Sequence, residues 1–264
     1  MNSGRKPAAL ITGASAGLGY SMSRELARRG HDLVLVALPG TGLESLCQSL
    51  SRSYSIRAKC IEIDMISAEA PARIKEITDS EGTSINILIN NVGIGYGGEI
   101  GTYKTKSVEE TFFLNMISAT LMTNMFIDDL KSFPKSHILN MGSFSGFTPM
   151  PYKSMYSASK AYIFNFSISV REELHGTGVS VSVAMPGPVK TNRKVCERIK
   201  SSGKGAQVTA LEADEAAKEI ISQMFRGRRV IVPGRAYKFL HTVALIIPYG
   251  LVMLMTRNTF KGID

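Results

Sequence analysis

Between Ala8 and Gly30 the chain reads as strand, glycine turn and helix, and no other stretch restricts the fold as much. Ala8 to Thr12 is a short apolar run that ends in Thr12-Gly13-Ala14-Ser15-Ala16-Gly17-Leu18-Gly19. Leu18, Met22 and Leu26 then recur at helical spacing until Gly30 stops the helix. Glycines at 13, 17 and 19 let the backbone turn sharply. They also let an anionic group approach the amides at a helix N-terminus, where the dipole favours negative charge. The spacing is Gly-x-x-x-Gly-x-Gly, which differs from the Gly-x-Gly-x-x-Gly dinucleotide fingerprint. A tight turn packed on a sheet is the competing reading.

The alternation continues along the chain. Leu33 to Ala37 is a continuous apolar run suited to a parallel strand buried on both faces. Leu43, Leu46 and Leu50 mark a second helix, Ala58 to Ile63 a strand, and Ile74 with Ile77 a third helix. Ile85 to Ile89, His137 to Met141, Val179 to Met185 and Arg229 to Val232 read as further strands. A long helix is expected over about 108–130 and an amphipathic one over about 212–225. Strands alternating with helices over 264 residues predict one α/β domain, 1–264. The net charge of +9 comes from lysines and arginines spread along the chain without aromatic-basic interleaving, so nucleic acid is not an expected partner. Three cysteines with no Cys-x-x-Cys pair imply free thiols in a reducing compartment. The four histidines show no ligand spacing, so no metal is expected. Met1 to Lys6 is short and polar, unlike a secretory signal, and a cytoplasmic location is expected.

The chemistry gathers in Ser143 to Lys160. Tyr156 and Lys160 are four residues apart, which puts phenol and ammonium on one helix face, one turn apart. A free phenol has a pKa of about 10. A cation about 4 Å away, at a near-surface dielectric, is worth up to about 4 kcal/mol in favour of phenolate, less whatever desolvation opposes. Tyr156 is then able to exchange a proton near neutrality. Tyr-x-x-x-Lys alone is commonplace in helices. Here it is accompanied, in order, by the glycine turn, Asn90-Asn91-Val92-Gly93, Asn115, Ser143 and Pro186-Gly187. Together these resemble the short-chain dehydrogenase/reductase family, closely over roughly residues 6–192 and loosely beyond.

That resemblance implies a Rossmann-like doubly wound parallel sheet of about seven strands with helices on both faces. It also implies reversible ketone reduction by hydride transfer. Tyr156 is the implied general acid and base, Ser143 the stabiliser of the substrate oxygen, Lys160 the group that holds the ribose and lowers the phenol's pKa. Asn115 is expected to distort its helix and hold a water leading to the lysine. Ser145 rivals Ser143, since Gly142 stands where the family more often has serine. Cofactor contacts carried over by resemblance are Gly13, Ser15, Ala16, Gly17, Leu18 and Gly19 at the pyrophosphate, and Leu38, Asp64 and Met65 at the adenosine. Asn91, Val92, Gly93, Tyr156 and Lys160 follow at the ribose, then Pro186, Gly187, Val189 and Thr191 at the nicotinamide. Val92 replaces the usual alanine. After the second strand, Ala37-Leu38-Pro39-Gly40-Thr41 holds neither the acid that favours NAD nor the arginine that accepts the 2′-phosphate of NADP. Without the acid nothing there repels a phosphate, and Thr41 or the amides of Gly40 to Gly42 offer donors, so NADP is preferred over NAD.

Beyond residue 192 the reading opens out. Residues 193–208 carry Arg193, Lys194, Arg198, Lys200 and Lys204, and resemble a variable substrate lid; a solvated helix face is the alternative. Residues 235–257 are mostly apolar and are interrupted by Pro248, too short and kinked for a spanning helix. A cap over the substrate cleft, an oligomer contact and a peripheral membrane contact through 239–255, at the inner face of a membrane, all fit this segment. The expected substrate is a small-molecule carbonyl or alcohol of lipophilic type: a 3-oxoacyl thioester, a keto lipid or a steroid. A homodimer or homotetramer is expected. A non-catalytic dinucleotide-binding redox sensor and a membrane-associated lipid ketone reductase are the alternatives.

Overall fold

Apolar runs without a polar side need cover on both faces, and the chain supplies it by sending helices alternately above and below one sheet. The computed structural model describes residues 6–201, 204–244, 250, 251 and 253. In chain order the elements are β1 (Ala8–Thr12), α1 (Gly17–Arg28), β2 (Asp32–Ala37), α2 (Leu43–Tyr54), β3 (Ala58–Glu62), α3 (Ala70–Ser80) and β4 (Ile85–Asn90). Then come α4 (Thr105–Phe112), α5 (Ser118–Lys131), β5 (Ser136–Met141), α6 (Ser154–Glu173), β6 (Val179–Ala184) and β7 (Val189–Lys190). The chain continues with α7 (Arg193–Ser201), α8 (Lys204–Thr209), β8 (Leu211–Glu212), α9 (Ala213–Phe225), β9 (Val230–Ile231) and α10 (Arg235–Ala244).

Seven strands form one parallel sheet in the order β3-β2-β1-β4-β5-β6-β9. The chain runs outward from β1 to β3, then restarts at β4 on the other side of β1. That reversal opens a crevice at the strands' carboxyl ends, where ligands bind in such sheets. One face is packed by Met22 and Leu26 of α1, Cys47 and Leu50 of α2, and Ile220 and Met224 of α9. The other is packed by Ile74 of α3 and Met122, Phe126 and Leu130 of α5. Every residue of β1 and β2 is buried, including Thr12 and Asp32 at the polar ends of their apolar runs.

The helix expected over 108–130 is interrupted at Asn115, the expected point of distortion, by a π-helical turn over Phe113–Ile117 between α4 and α5. One feature departs from the sequence reading. β7 and β8 add a separate two-stranded pair, two residues each, too short to leave a periodic signal. The apolar segment at 235–257 begins as α10; most of its second half lies outside the described residues.

Candidate active site

The glycine turn is locked to its neighbour across the crevice. Gly13 and Gly17 adopt left-handed φ of 66° and 55°. Gly19 has no room for a side chain, because a Cβ there would press into the Gly13 carbonyl and stand 2.7 Å from Asn91 Nδ2. Asn91 Nδ2 donates to the carbonyls of Thr12 and Gly13 at 2.9 and 3.1 Å. Thr12 Oγ1 accepts from the Asn91 and Val92 amides at 3.0 and 3.2 Å. Ser15 is half-buried and Ala16 exposed. α1 starts with no side-chain cap and no acidic residue in its first turn, so its amides and dipole face the crevice unopposed. Thr191 packs against Gly17, with a Cβ added there only 3.1 Å from the Thr191 Cβ. This donor set suits an anionic pyrophosphate, so the residues present fit a dinucleotide.

Beyond β2, Leu38 is exposed and Thr41 Oγ1 donates to its carbonyl at 2.7 Å. Gly40 and Gly42 are left-handed with open space beside them. Asp64 is exposed, and its carboxylate accepts from the Ile66 amide at 3.0 Å. It does not cap α3, whose N-cap is Glu69. Met65 points its side chain into the core, so only its backbone is available to a ligand.

Where β4, the π turn and α6 converge, the reactive side chains meet. Lys160 is 5% exposed, and its Nζ donates to the Met141 carbonyl at 2.8 Å. The ammonium lies 5.8 Å from the centre of the Tyr156 ring, as the four-residue spacing on α6 requires. Burial pushes its pKa down to about 8. A Cβ on Gly93 would sit 3.3 Å from that nitrogen and 2.9 Å from Asn115 Oδ1, while one on Gly95 would sit 3.1 Å from the Tyr156 ring. Asn115 is 2% exposed inside the π turn. Its Oδ1 accepts from the Ile94 amide at 2.8 Å, and its Nδ2 donates to the Ile94 carbonyl at 2.8 Å and to Ser159 Oγ at 2.9 Å.

Ser143 follows β5 as the cap of a single 3₁₀ turn, Phe144–Gly146. Its Oγ accepts from Ser145 Oγ at 2.9 Å and from the Ser145 amide at 3.3 Å. Ser145 is buried behind it, whereas Ser143 is half-buried. The turn lies directly on α6, since a Cβ on Gly146 would stand 2.7 Å from the Lys160 carbonyl oxygen. Pro186 accepts from the Phe144 amide at 2.8 Å, so the chain leaving β6 borders the same turn. Sequence reasoning missed four contributors here: Thr12, Ser159, Gly95 and Tyr237. Thr12 alone carried a signal, as the last strand residue before the glycine turn.

A family profile described as short chain dehydrogenase matches residues 7–202. The chain belongs to the short-chain dehydrogenase/reductase family. The ketoacyl reductase HetN of Nostoc is 32% identical over 68% of this chain and 62% of its own length, so the match spans less than two thirds of that relative. Mouse 17-beta-hydroxysteroid dehydrogenase type 3 is 30% identical over 89% of this chain and 81% of that protein. Among solved structures, a short-chain dehydrogenase from Sphingobium yanoikuyae in complex with NADPH superposes with a TM-score of 0.78 at 27% identity, covering 93% of this chain and 95% of that one. As a member of this family the chain binds NAD(P).

The family profile ends at residue 202, before α8 and α10. The expected lid is helical: α7 carries Arg193, which pairs with Glu197 at 2.9 Å, and α8 exposes Val208 at 85%. α10 returns to the site. Tyr237 covers Gly187, where a Cβ would come within 2.5 Å of its Cδ2, and its ring centre lies 4.9 Å from that of Phe144. His241 stacks obliquely on Phe147 at 4.3 Å. The opposite side of α10 presents Ala236, Phe239 and Leu240, with Phe239 70% exposed. No helix among the described residues is long and apolar enough to cross a membrane.

Proposed function

We propose that this short-chain dehydrogenase/reductase reduces a lipophilic ketone to its secondary alcohol, and the reverse, with NADP(H). The carrying observation is the buried Lys160 ammonium set between Gly93, the Met141 carbonyl and the Tyr156 ring. A nicotinamide dinucleotide held in the crevice would supply the hydride for the carbonyl carbon. Tyr156 gives the phenol proton to the carbonyl oxygen, and the ammonium of Lys160 stabilises the phenolate left behind. Ser143 donates its hydroxyl proton to the same oxygen. Its own lone pairs are taken by Ser145, which leaves the O–H as the group it can offer a substrate. Ser145 orients from behind.

Both amide protons of Asn115 are used by Ile94 and Ser159, so its side chain acts as a staple. The π turn around Asn115 shifts backbone carbonyls off their α-helical partners, and a water held there would link Lys160 to solvent. Gly13, Ser15, Ala16, Gly17, Leu18 and Gly19 hold the pyrophosphate. Asn91, Val92, Gly93 and Lys160 hold the ribose, and Pro186, Gly187, Val189 and Thr191 the carboxamide. Leu38, Asp64 and the Met65 backbone bound the adenosine. NADP is the preferred form because residues 38–42 contain no carboxylate to repel a 2′-phosphate. The ring wall of Phe144, Phe147 and Tyr237, and the ketoacyl and hydroxysteroid names of its relatives, favour a long apolar ketone.

Oxidation of NADPH and NADH against ketones of rising chain length tests this reading. Turnover should rise with chain length, favour NADPH, and fall by about 10² or more in Tyr156→Phe, the scale of losing a general acid. Binding of NADPH without turnover of any ketone would favour the redox sensor instead.

A further inference from the structure

A second pair of reactive side chains lies on the far edge of the sheet, four strands from β5. Cys60 sits on edge strand β3, in register with Leu35 of β2. Strand alternation turns Cys60 and Ala58 to the face of Leu35, away from Ile61, which packs on the opposite side. α2 covers that face and buries Cys47 there. The helix is tied to the strand by the Ala58 amide, which donates to Ser51 Oγ at 3.1 Å. That packing sets the two thiols side by side, between the helix and the strand. Both line an open cleft of about 480 Å³, bounded also by Glu44, Gln48, Ser51 and Arg52. Cys60 is exposed and Cys47 is buried at the cleft's floor, and neither has a part in carbonyl chemistry.

The asymmetry orders the chemistry. Burial, reinforced by Cys60, pushes the Cys47 thiol up to about 12, so it stays protonated and resists direct oxidation. The exposed thiol reacts first. We propose that Cys60 and Cys47 form a two-thiol oxidation site, which a hydroperoxide converts to an intramolecular disulfide.

Cys60 Sγ, as thiolate, attacks the terminal peroxide oxygen; the O–O bond breaks, an alcohol or water leaves with one proton, and Cys60 becomes a sulfenic acid. Cys47 Sγ then attacks the Cys60 sulfur. The S–O bond breaks, and water leaves with the hydroxyl and the Cys47 proton. Two thiols and one hydroperoxide thus give one disulfide, one alcohol and one water, the sulfurs supplying both electrons.

The test is to treat the full chain with one equivalent of hydrogen peroxide, then measure intact mass, free thiols and a peptide map, before and after dithiothreitol. The expected product has lost two hydrogens, keeps one of its three thiols, at Cys196, and links the Cys47 and Cys60 peptides reversibly. Cys60→Ser should leave Cys47 unoxidised under the same treatment. Cys47→Ala should accumulate a dimedone-reactive sulfenic acid at Cys60. Should Cys47→Ala fail to fold, the wild-type map decides by itself. Wild-type Cys60 advancing to sulfinic acid beside an intact Cys47 thiol would overturn the proposal, as would a disulfide through Cys196 or between two chains. None of these readouts uses turnover, so the outcome is independent of the reductase reading.

Discussion

The two walls of the active-site crevice are built differently. On the β1 and β4 side, side chains bond to backbone: Asn91 to Thr12 and Gly13, Thr12 to the amides of Asn91 and Val92, and Asn115 to both backbone groups of Ile94. On the Phe144 to α10 side, rings meet rings, at 4.3 to 5.5 Å between centres. Hydrogen bonds to backbone fix atoms to within fractions of an ångström, which binding a dinucleotide and aligning a proton donor demand. Aromatic and aliphatic surfaces tolerate exchange of volume and shape. The family profile takes in the hydrogen-bonded wall together with Phe144, Phe147 and Phe164 of the ring wall, and ends at residue 202, before Tyr237 and His241 of α10.

The sharpest break of that contrast is Gly19→Ala set against Phe144→Leu. The added methyl on Gly19 meets backbone at Gly13 and the Asn91 amide, neither of which can retreat without opening the strand-to-turn junction. A stability loss of about 3 kcal/mol or more is expected, at the upper end of overpacking costs, with NADPH binding weakened at least about tenfold. Phe144→Leu, in the ring wall, should cost about 1.5 kcal/mol or less. Chemical denaturation and NADPH titration measure both. Equal losses in the two variants would mean the walls do not differ in kind.

Much of the hydrogen-bonded wall was legible from the sequence, because its parts are local. The apolar runs of β1, β2 and β4, the glycines and the Tyr156–Lys160 spacing each report on a few neighbouring residues, and the sheet assembled from them has the expected seven strands. What escaped depends on distant pairs. Tyr237 meets Gly187 fifty positions away, and Cys47 meets Cys60 only because α2 folds back over β3. No periodicity announces such a meeting. The distortion at Asn115 was legible from the family resemblance alone, since Phe113 to Ile117 has the composition of ordinary helix; it takes the form of a π turn as Asn115 reaches across to Ile94. The preference for Ser143 over its rival Ser145, already made in the sequence, gains a physical basis from burial and donor direction.

Lys160 stands between the walls, and pH reads its state. The folded pKa of about 8 lies below the ordinary 10.5, because burial penalises the ammonium. In the free enzyme, kcat/KM for reduction should therefore hold up to about pH 8 and fall about tenfold for each further pH unit, as the charge behind Tyr156 is lost. Stability moves the other way. A lowered folded pKa means the unfolded chain binds more protons between about pH 8 and 10.5, so this group's destabilising contribution is full at neutral pH and fades as pH rises. Lys160→Met should abolish that rise in stability while also losing activity. A kcat/KM profile level from pH 7 to 9.5 would remove Lys160 from the proton chemistry.

The smallest effect is expected at Phe239, and it sharpens what the ring wall is for. Tyr237 and His241 hold α10 against Gly187, Phe144 and Phe147, so the helix is already seated at the substrate side before anything binds its outer face. Phe239 lies two residues from each, on the opposite side of the helix, and is 70% exposed, so losing it leaves the core untouched. If a long-chain ketone runs from the cleft over the outer face of α10, Phe239→Ser should raise its KM about two- to fivefold, less than the 1.5–3 kcal/mol that fully burying such a ring is worth. A short ketone that does not reach that face should be unaffected. Unchanged KM for both ketones would count against that path. A change in sedimenting mass would then assign the exposed face to a second copy of the chain, and loss of co-sedimentation with anionic phospholipid vesicles would assign it to a bilayer surface.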